Sequence, residues 1–224
     1  MIKLKYKSWD DITIPIYQEI SDIAKSGDMT TEDAFDKREM DILAVLCDSD
    51  RESLGNIRIE DYAELAREAR FMQSIPFYLP PSTITLGGVD YHVIADVSKF
   101  TIAQYTEYNA LRADVNANIA NILACILIPT TAKTYADGYD VAEVVKVITE
   151  ELPYYKAYGI LRFFHVAQTL SLASVLCWRG IKMMAMAMMK RGAERRAMME
   201  EAKQHLKASI SLGRCWLKAL STTH

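Results

Sequence analysis

The chain has 224 residues, half of them apolar and a quarter charged, with nine glycines and six prolines. That length buries a sizeable core, as one domain or as two small halves, and the composition is globular rather than disordered, with glycine and proline scarce enough to favour long helices over a sandwich of many short strands. Net charge is only −3 but unevenly spread: residues 1–70 hold 10 basic and 17 acidic side chains, residues 71–150 hold 4 and 8, and residues 151–224 hold 12 and 4, which gives −7, −4 and +8.

An acidic front and a basic tail suit pairing within one molecule or head to tail between copies, and nucleic acid is the alternative partner for the tail. The four cysteines, Cys47, Cys125, Cys177 and Cys215, are far apart and lie within apolar helical patterns. With no CxxC pair and no Cys/His cluster, they read as reduced, buried thiols of a protein kept in a cytosol. The opening residues lack an apolar core followed by a cleavage site, so no secretory signal is expected.

In chain order, residues 1–6 alternate apolar Ile2, Leu4 and Tyr6 with lysines and predict a short strand. Thr13 and Pro15 open a helix to about Lys25, closed by Ser26-Gly27-Asp28. Thr30-Thr31-Glu32-Asp33 reads as the capped start of a second helix, with Phe35, Ile42, Val45 and Leu46 inward. A third runs over roughly 60–73, with Tyr62, Leu65, Ala69 and Met72 on one side. Three prolines, Pro76, Pro80 and Pro81, then mark a linker.

Thr83-Ile84-Thr85-Leu86 and Tyr91-His92-Val93-Ile94 flank Gly87-Gly88, the one strong hairpin signal. Thr101 with Gln104 forms a capping box for a long helix ending before Pro129. Asp140 caps another to about Glu151, and Pro153 starts an apolar helix through Trp178. Arg162, His165 and Gln168 lie inside that apolar stretch and are costly in lipid, which favours a buried helix over a membrane span. Beyond Gly180 the chain reads as helical again, with a weak point at Gly192, to about Leu212. The expected divisions are residues 1–75 with the short strand and first helices, residues 76–100 with linker and hairpin, and residues 101–224 as a helical domain with a basic end. The fold expected is mainly α, a multi-helix bundle with one small β-hairpin, α+β at most.

Chemistry-bearing constellations are thin. The histidines are His92, His165, His205 and His224, and none has a partner at the i+4 spacing that puts two ligands on one helix face. His92 reads as a solvent-facing strand residue, His165 as a core-edge residue and His224 as a frayed end. No GxSxG and no phosphate-binding glycine loop is present, since Gly87-Gly88 lacks a following lysine and helix. Asp10-Asp11 and Asp48-Ser49-Asp50 lack the ligands and the glycine of a calcium loop and read as caps. No catalytic residue, cofactor or metal is therefore expected, and the chain reads as no enzyme.

The basic end carries Arg179, Lys182, Lys190, Arg191, Arg195, Arg196, Lys203 and Lys207, among the methionines Met183, Met184, Met186, Met188, Met189, Met198 and Met199. Methionines fill irregular cores and also make adaptable contact surfaces. The expected protein-contact residues are Gly87 and Gly88 in the hairpin, with Met183, Met186, Arg191, Arg195 and Lys203 in the basic end.

Four stretches together resemble small proteins from the structural gene clusters of tailed bacteriophages, including those of gut Bacteroidetes and crAss-like phages. They are Lys7-Ser8-Trp9-Asp10-Asp11-Ile12-Thr13-Ile14 with Tyr17-Gln18-Glu19-Ile20; Ile42-Leu43-Ala44-Val45-Leu46; the hairpin leading into Thr101-Ile102-Ala103-Gln104-Tyr105; and residues 118–140. The similarity spans about residues 1–165 and does not extend past Gly180. It implies a non-enzymatic virion part (connector, tail or internal component) or a tail-assembly chaperone, with other phage structural proteins and further copies of itself as partners, located in the virion or the host cytoplasm and without a membrane. The alternative, from another class, is a nucleic-acid-binding protein using the basic C-terminal helices.

Overall fold

The computed structural model describes residues 2–26, 32–188 and 193–221. Nine helices are described, α1 (Ile14–Lys25), α2 (Glu32–Cys47), α3 (Arg51–Gly55), α4 (Ile59–Glu68), α5 (Ile102–Leu111), α6 (Ile119–Ile126), α7 (Val141–Glu151), α8 (Tyr154–Met188) and α9 (Ala193–Ser221). Three strands accompany them, β1 (Thr83–Leu86), β2 (Val89–Val93) and β3 (Leu127–Pro129). The fold is mainly helical with one small antiparallel sheet, as the sequence predicts. Two compact units emerge, Met1–Val93 with Phe100–Ile160, and Ile94–Lys99 with Leu161–His224, so their boundary falls within α8.

In the first unit, α6 is the centre. Ile122, Leu123, Ala124, Cys125 and Ile126 are all buried, and α6 packs on α5 and α7. Against this core sits the sheet, in the order β1-β2-β3. Tyr91 of β2 faces Ile84 of β1 and Pro129 of β3 in the ladder. Gly87 and Gly88 both have positive φ, +57° and +75°, which is the backbone a two-residue hairpin turn requires.

The chain predicted as one helix from Thr101 to Pro129 is broken instead. The capping box at its start is present, with Thr101 Oγ1 accepting from Gln104 N and Gln104 Oε1 accepting from Thr101 N. The break comes where short polar side chains compete for backbone groups. Asn118 Nδ2 donates to Asp114 O at 2.9 Å, and Asp114 Oδ1 accepts from Ala117 N at 3.1 Å. After α6 the chain turns extended, because residues 127–129 pair with β2.

Residues 2–6 form no strand, since β1, β2 and β3 pair only among themselves. Lys5 N and Tyr6 N both donate to Leu46 O, at 3.0 and 3.2 Å, which ties this segment to the end of α2. Leu4 is buried there, so the alternation does mark a one-sided segment, though not a laddered one. On α2 the buried positions are Leu43, Ala44, Leu46 and Cys47, while Ile42 and Val45 are half-buried. The expected inner position Phe35 has its side chain outside the described residues, as do the capping residues Thr30 and Thr31. The helix predicted over 60–73 is α4 followed by a 3-10 turn over Ala69–Gln73.

Trp9 fastens the linker. Its Nε1 donates to Phe71 O and Ser74 O, at 2.8 and 2.9 Å, just before the proline-rich stretch. Further along, Gly159 lies so close to Tyr78 that a Cβ there would meet Tyr78 O at 2.7 Å. The start of α8 is fixed in the same unit, with Tyr154 N donating to Ile12 O at 2.7 Å and the Tyr154 ring stacked on Tyr17.

In the second unit, the later part of α8 packs on α9. Gly180 of α8 faces Ala202 and Leu206 of α9, and Ser209 Oγ donates to Ala173 O at 2.9 Å. Gly180 does not interrupt α8, and α9 continues past Leu212 to Ser221.

Candidate functional site

The residues that α8 turns toward α9 are small or half-buried: Ala173, Leu176, Gly180 and Met183. A helix has 3.6 residues per turn, so its other side carries Val175, Trp178, Lys182 and Met186 in one stripe, with Leu170 and Ile181 beside it. These apolar side chains are exposed: Trp178 by 69%, Val175 by 47% and Ile181 by 49%. Residues 154–184 form a stretch long and apolar enough to cross a membrane, with a mean hydropathy of 1.5, yet only 12% of that window is buried. The buried core helix expected here is thus a half-covered one. Arg179 and Lys182 stand exposed within the same face.

The expected contact residues divide accordingly. Met183 is half-buried on the α9 side, and Met186 is exposed in the stripe. Lys203 is exposed on α9, with Nζ 2.7 Å from Glu200 Oε1. Arg191 lies outside the described residues, and Arg195 is in α9 with its side chain outside them. Gly87 belongs to the other unit and is engaged there: its N–H donates to Glu151 Oε2 at 2.6 Å, and a Cβ would meet Val147 at 3.2 Å. Gly88 faces open space. Sequence reasoning named methionines and basic residues but passed over Leu170, Val175, Trp178 and Ile181. Their signal was present in the apolar run itself, once α9 proves too polar to cover both sides of it.

The first unit holds a cleft of about 720 Å³ beside α1, α2 and α3. Ile16, Ile23, Ala44 and Val45 give it apolar walls, and Glu19, Asp41, Asp48 and Asp50 bring carboxylates to it. Arg51 pairs with Asp41 at 3.3 Å and Lys5 with Asp48 at 2.7 Å, while no ion pair holds Glu19 among the described residues. Asp50 caps α3, accepting from Ser53 N at 2.7 Å and Ser53 Oγ at 2.8 Å, and these bonds hold its carboxyl below the usual range. Asp11 does the same for the turn before α1, accepting from Lys7 N, Ser8 N and Ser8 Oγ. Asp10 accepts from the Tyr155 hydroxyl at 2.9 Å. Each paired-acid segment thus serves backbone and side-chain partners.

Among the described residues no group of three or more His, Cys, Asp or Glu is placed to hold a metal. His92 and His165 are exposed, and His205 is half-buried. His165 therefore lies on the surface, where its predicted place was the core edge. Cys47 and Cys125 are buried free thiols, but Cys177 is only half-buried on α8. Burial pushes the Cys125 thiol up to about 11, so it is protonated at neutral pH and a poor nucleophile. Beside it Tyr135 donates to Glu107 Oε2 at 2.6 Å.

The fold and this surface define a mainly helical α+β protein with an exposed apolar and cationic helix face. Comparison with protein-family models, curated proteins and solved structures finds no match for this chain.

Proposed function

We propose that this chain is a non-enzymatic assembly protein acting through protein–protein contacts, in a tailed-phage particle or in its construction. One observation carries the contact role: the exposed apolar stripe of α8 formed by Val175, Trp178 and Met186, with Lys182 set among them and Arg179 alongside. An apolar patch rimmed by polar groups on a soluble protein marks an interaction surface, and tryptophan and arginine are the side chains that dominate interface energetics. The phage setting rests on the resemblance over residues 1–165 described above. The test is quantitative mass spectrometry of purified particles and of the lysate they come from. A resident virion part is found in the particle in a fixed ratio to other structural proteins. A tail-assembly chaperone is found in the lysate alone, with particle yield lost on deletion. Absence from particles together with undiminished yield on deletion overturns the reading.

The second reading, nucleic-acid binding, draws on the charge of the unit formed by residues 94–99 and 161–224, with 12 basic and 4 acidic side chains and a net +8. It requires affinity that falls steeply with added salt and is lost when residues after Trp178 are removed.

A further inference from the structure

We infer that the exposed α8 face docks onto the acidic cleft of a second copy of this chain, joining copies head to tail. This inference rests on the contact role proposed above and names its partner. The unit formed by residues 1–93 and 100–160 holds 14 basic and 25 acidic side chains, a net −11, against the +8 of the other unit. Two α8 faces brought together oppose like charges at Arg179 and Lys182, whereas a face brought to the cleft meets opposite ones.

The two surfaces match in kind as well as in sign. The cleft offers apolar Ile16, Ile23, Ala44 and Val45 to an apolar stripe, and Glu19 carries a carboxylate that no ion pair occupies among the described residues. The stripe offers Val175, Trp178 and Met186, with Lys182 one turn from Trp178. Because the two surfaces are different parts of one chain, the contact is heterologous. Such a contact closes into a ring or runs on as a filament, according to the rotation between neighbours.

The experiment is light scattering after size-exclusion chromatography of the full chain over a range of concentrations, with four proteins side by side. The unaltered chain forms concentration-dependent oligomers. Trp178→Ala weakens association by roughly 30-fold, the loss expected on truncating a central interface tryptophan. Lys182→Glu weakens it by about tenfold, and adding Glu19→Lys to that variant restores it. Circular dichroism checks that each variant is folded, and both altered side chains on α8 are exposed. A monomer at every concentration overturns the inference. So does association that survives Trp178→Ala, or that Glu19→Lys fails to restore. If association depends on Trp178 but not on Glu19, the contact role stands and the cleft falls as its seat. Tryptophan-dependent flotation with anionic phosphatidylserine vesicles, in a protein that stays monomeric, assigns the face to lipid and overturns the inference outright.

Discussion

The two units spend their apolar residues differently. In the first, the apolar side chains of α6 and the inner faces of the sheet, α1, α2 and α7 are buried against one another, and even the proline-rich linker is fastened by Trp9. Among the described residues of the second, α8 has one helix, α9, to pack on, and α9 is interrupted by Glu200, Glu201, Lys203 and Lys207. A helix pair covers one side of each member, so a stretch with apolar side chains on both sides leaves one of them without a partner in its own unit. The first unit reads as a finished core and the second as half of an interface.

The largest test of that contrast is a pair of truncations. Leu123→Ala removes a fully buried side chain from α6 and is expected to cost about 2–5 kcal/mol of unfolding free energy in urea titration. Trp178→Ala, although the larger truncation, is expected to change the stability of the free monomer by under ~0.5 kcal/mol. A loss above ~2 kcal/mol for Trp178→Ala would show that the stripe is covered from within the molecule. The contrast would then break.

A smaller effect separates the two close helix contacts. Gly159→Ala places a Cβ 2.7 Å from the Tyr78 carbonyl oxygen and 2.8 Å from Tyr78 Cβ, so the backbone itself must shift. That overpacking is expected to cost about 1–3 kcal/mol. Gly180→Ala meets Leu206 Cγ at 2.9 Å, a side chain that can turn away, and a backbone atom, Ala202 O, only at 3.2 Å, so its cost is expected to be the smaller of the two. Thermal unfolding of both variants ranks them, and an equal loss would mean that α8 and α9 pack as rigidly as the first unit does.

Most of this architecture was legible from local chemistry. The Thr101–Gln104 capping box, the Gly87-Gly88 turn and the Asp140 cap are short-range signals, and all three are present. What the sequence hid depends on contacts far along the chain. Residues 127–129 have the composition of a helix end and became a strand only because β2 offers an open edge. Residues 2–6 have the alternation of a strand and found no edge to pair with. The candidate surface was half legible. Basic residues and methionines stand out by type, whereas Val175 and Trp178 look like core until the shortage of covering helices is known.

The finest distinction between the units is electrostatic. The Asp11 carboxyl is held below its ordinary value of 3.8, first by the backbone N–H of Lys7 and then by the hydroxyl and N–H of Ser8. In the second unit Glu200 is also lowered, but its partner is the Lys203 side chain, an exposed pair at i,i+3. A carboxyl whose folded value is depressed stabilises the protein above its unfolded value, and that stabilisation disappears as pH falls through the folded value. Asp11→Asn should therefore be less stable than the unaltered chain at neutral pH by an amount that shrinks as pH falls below the ordinary 3.8 and on through the lower folded value. Added salt should leave that difference largely in place, because fixed backbone donors make it. The corresponding difference for Glu200→Gln should fade in about 1 M salt, where exposed charges are screened within roughly 3 Å. Equal salt sensitivity at the two positions would mean that the Asp11 turn is no better fixed than an exposed lysine side chain.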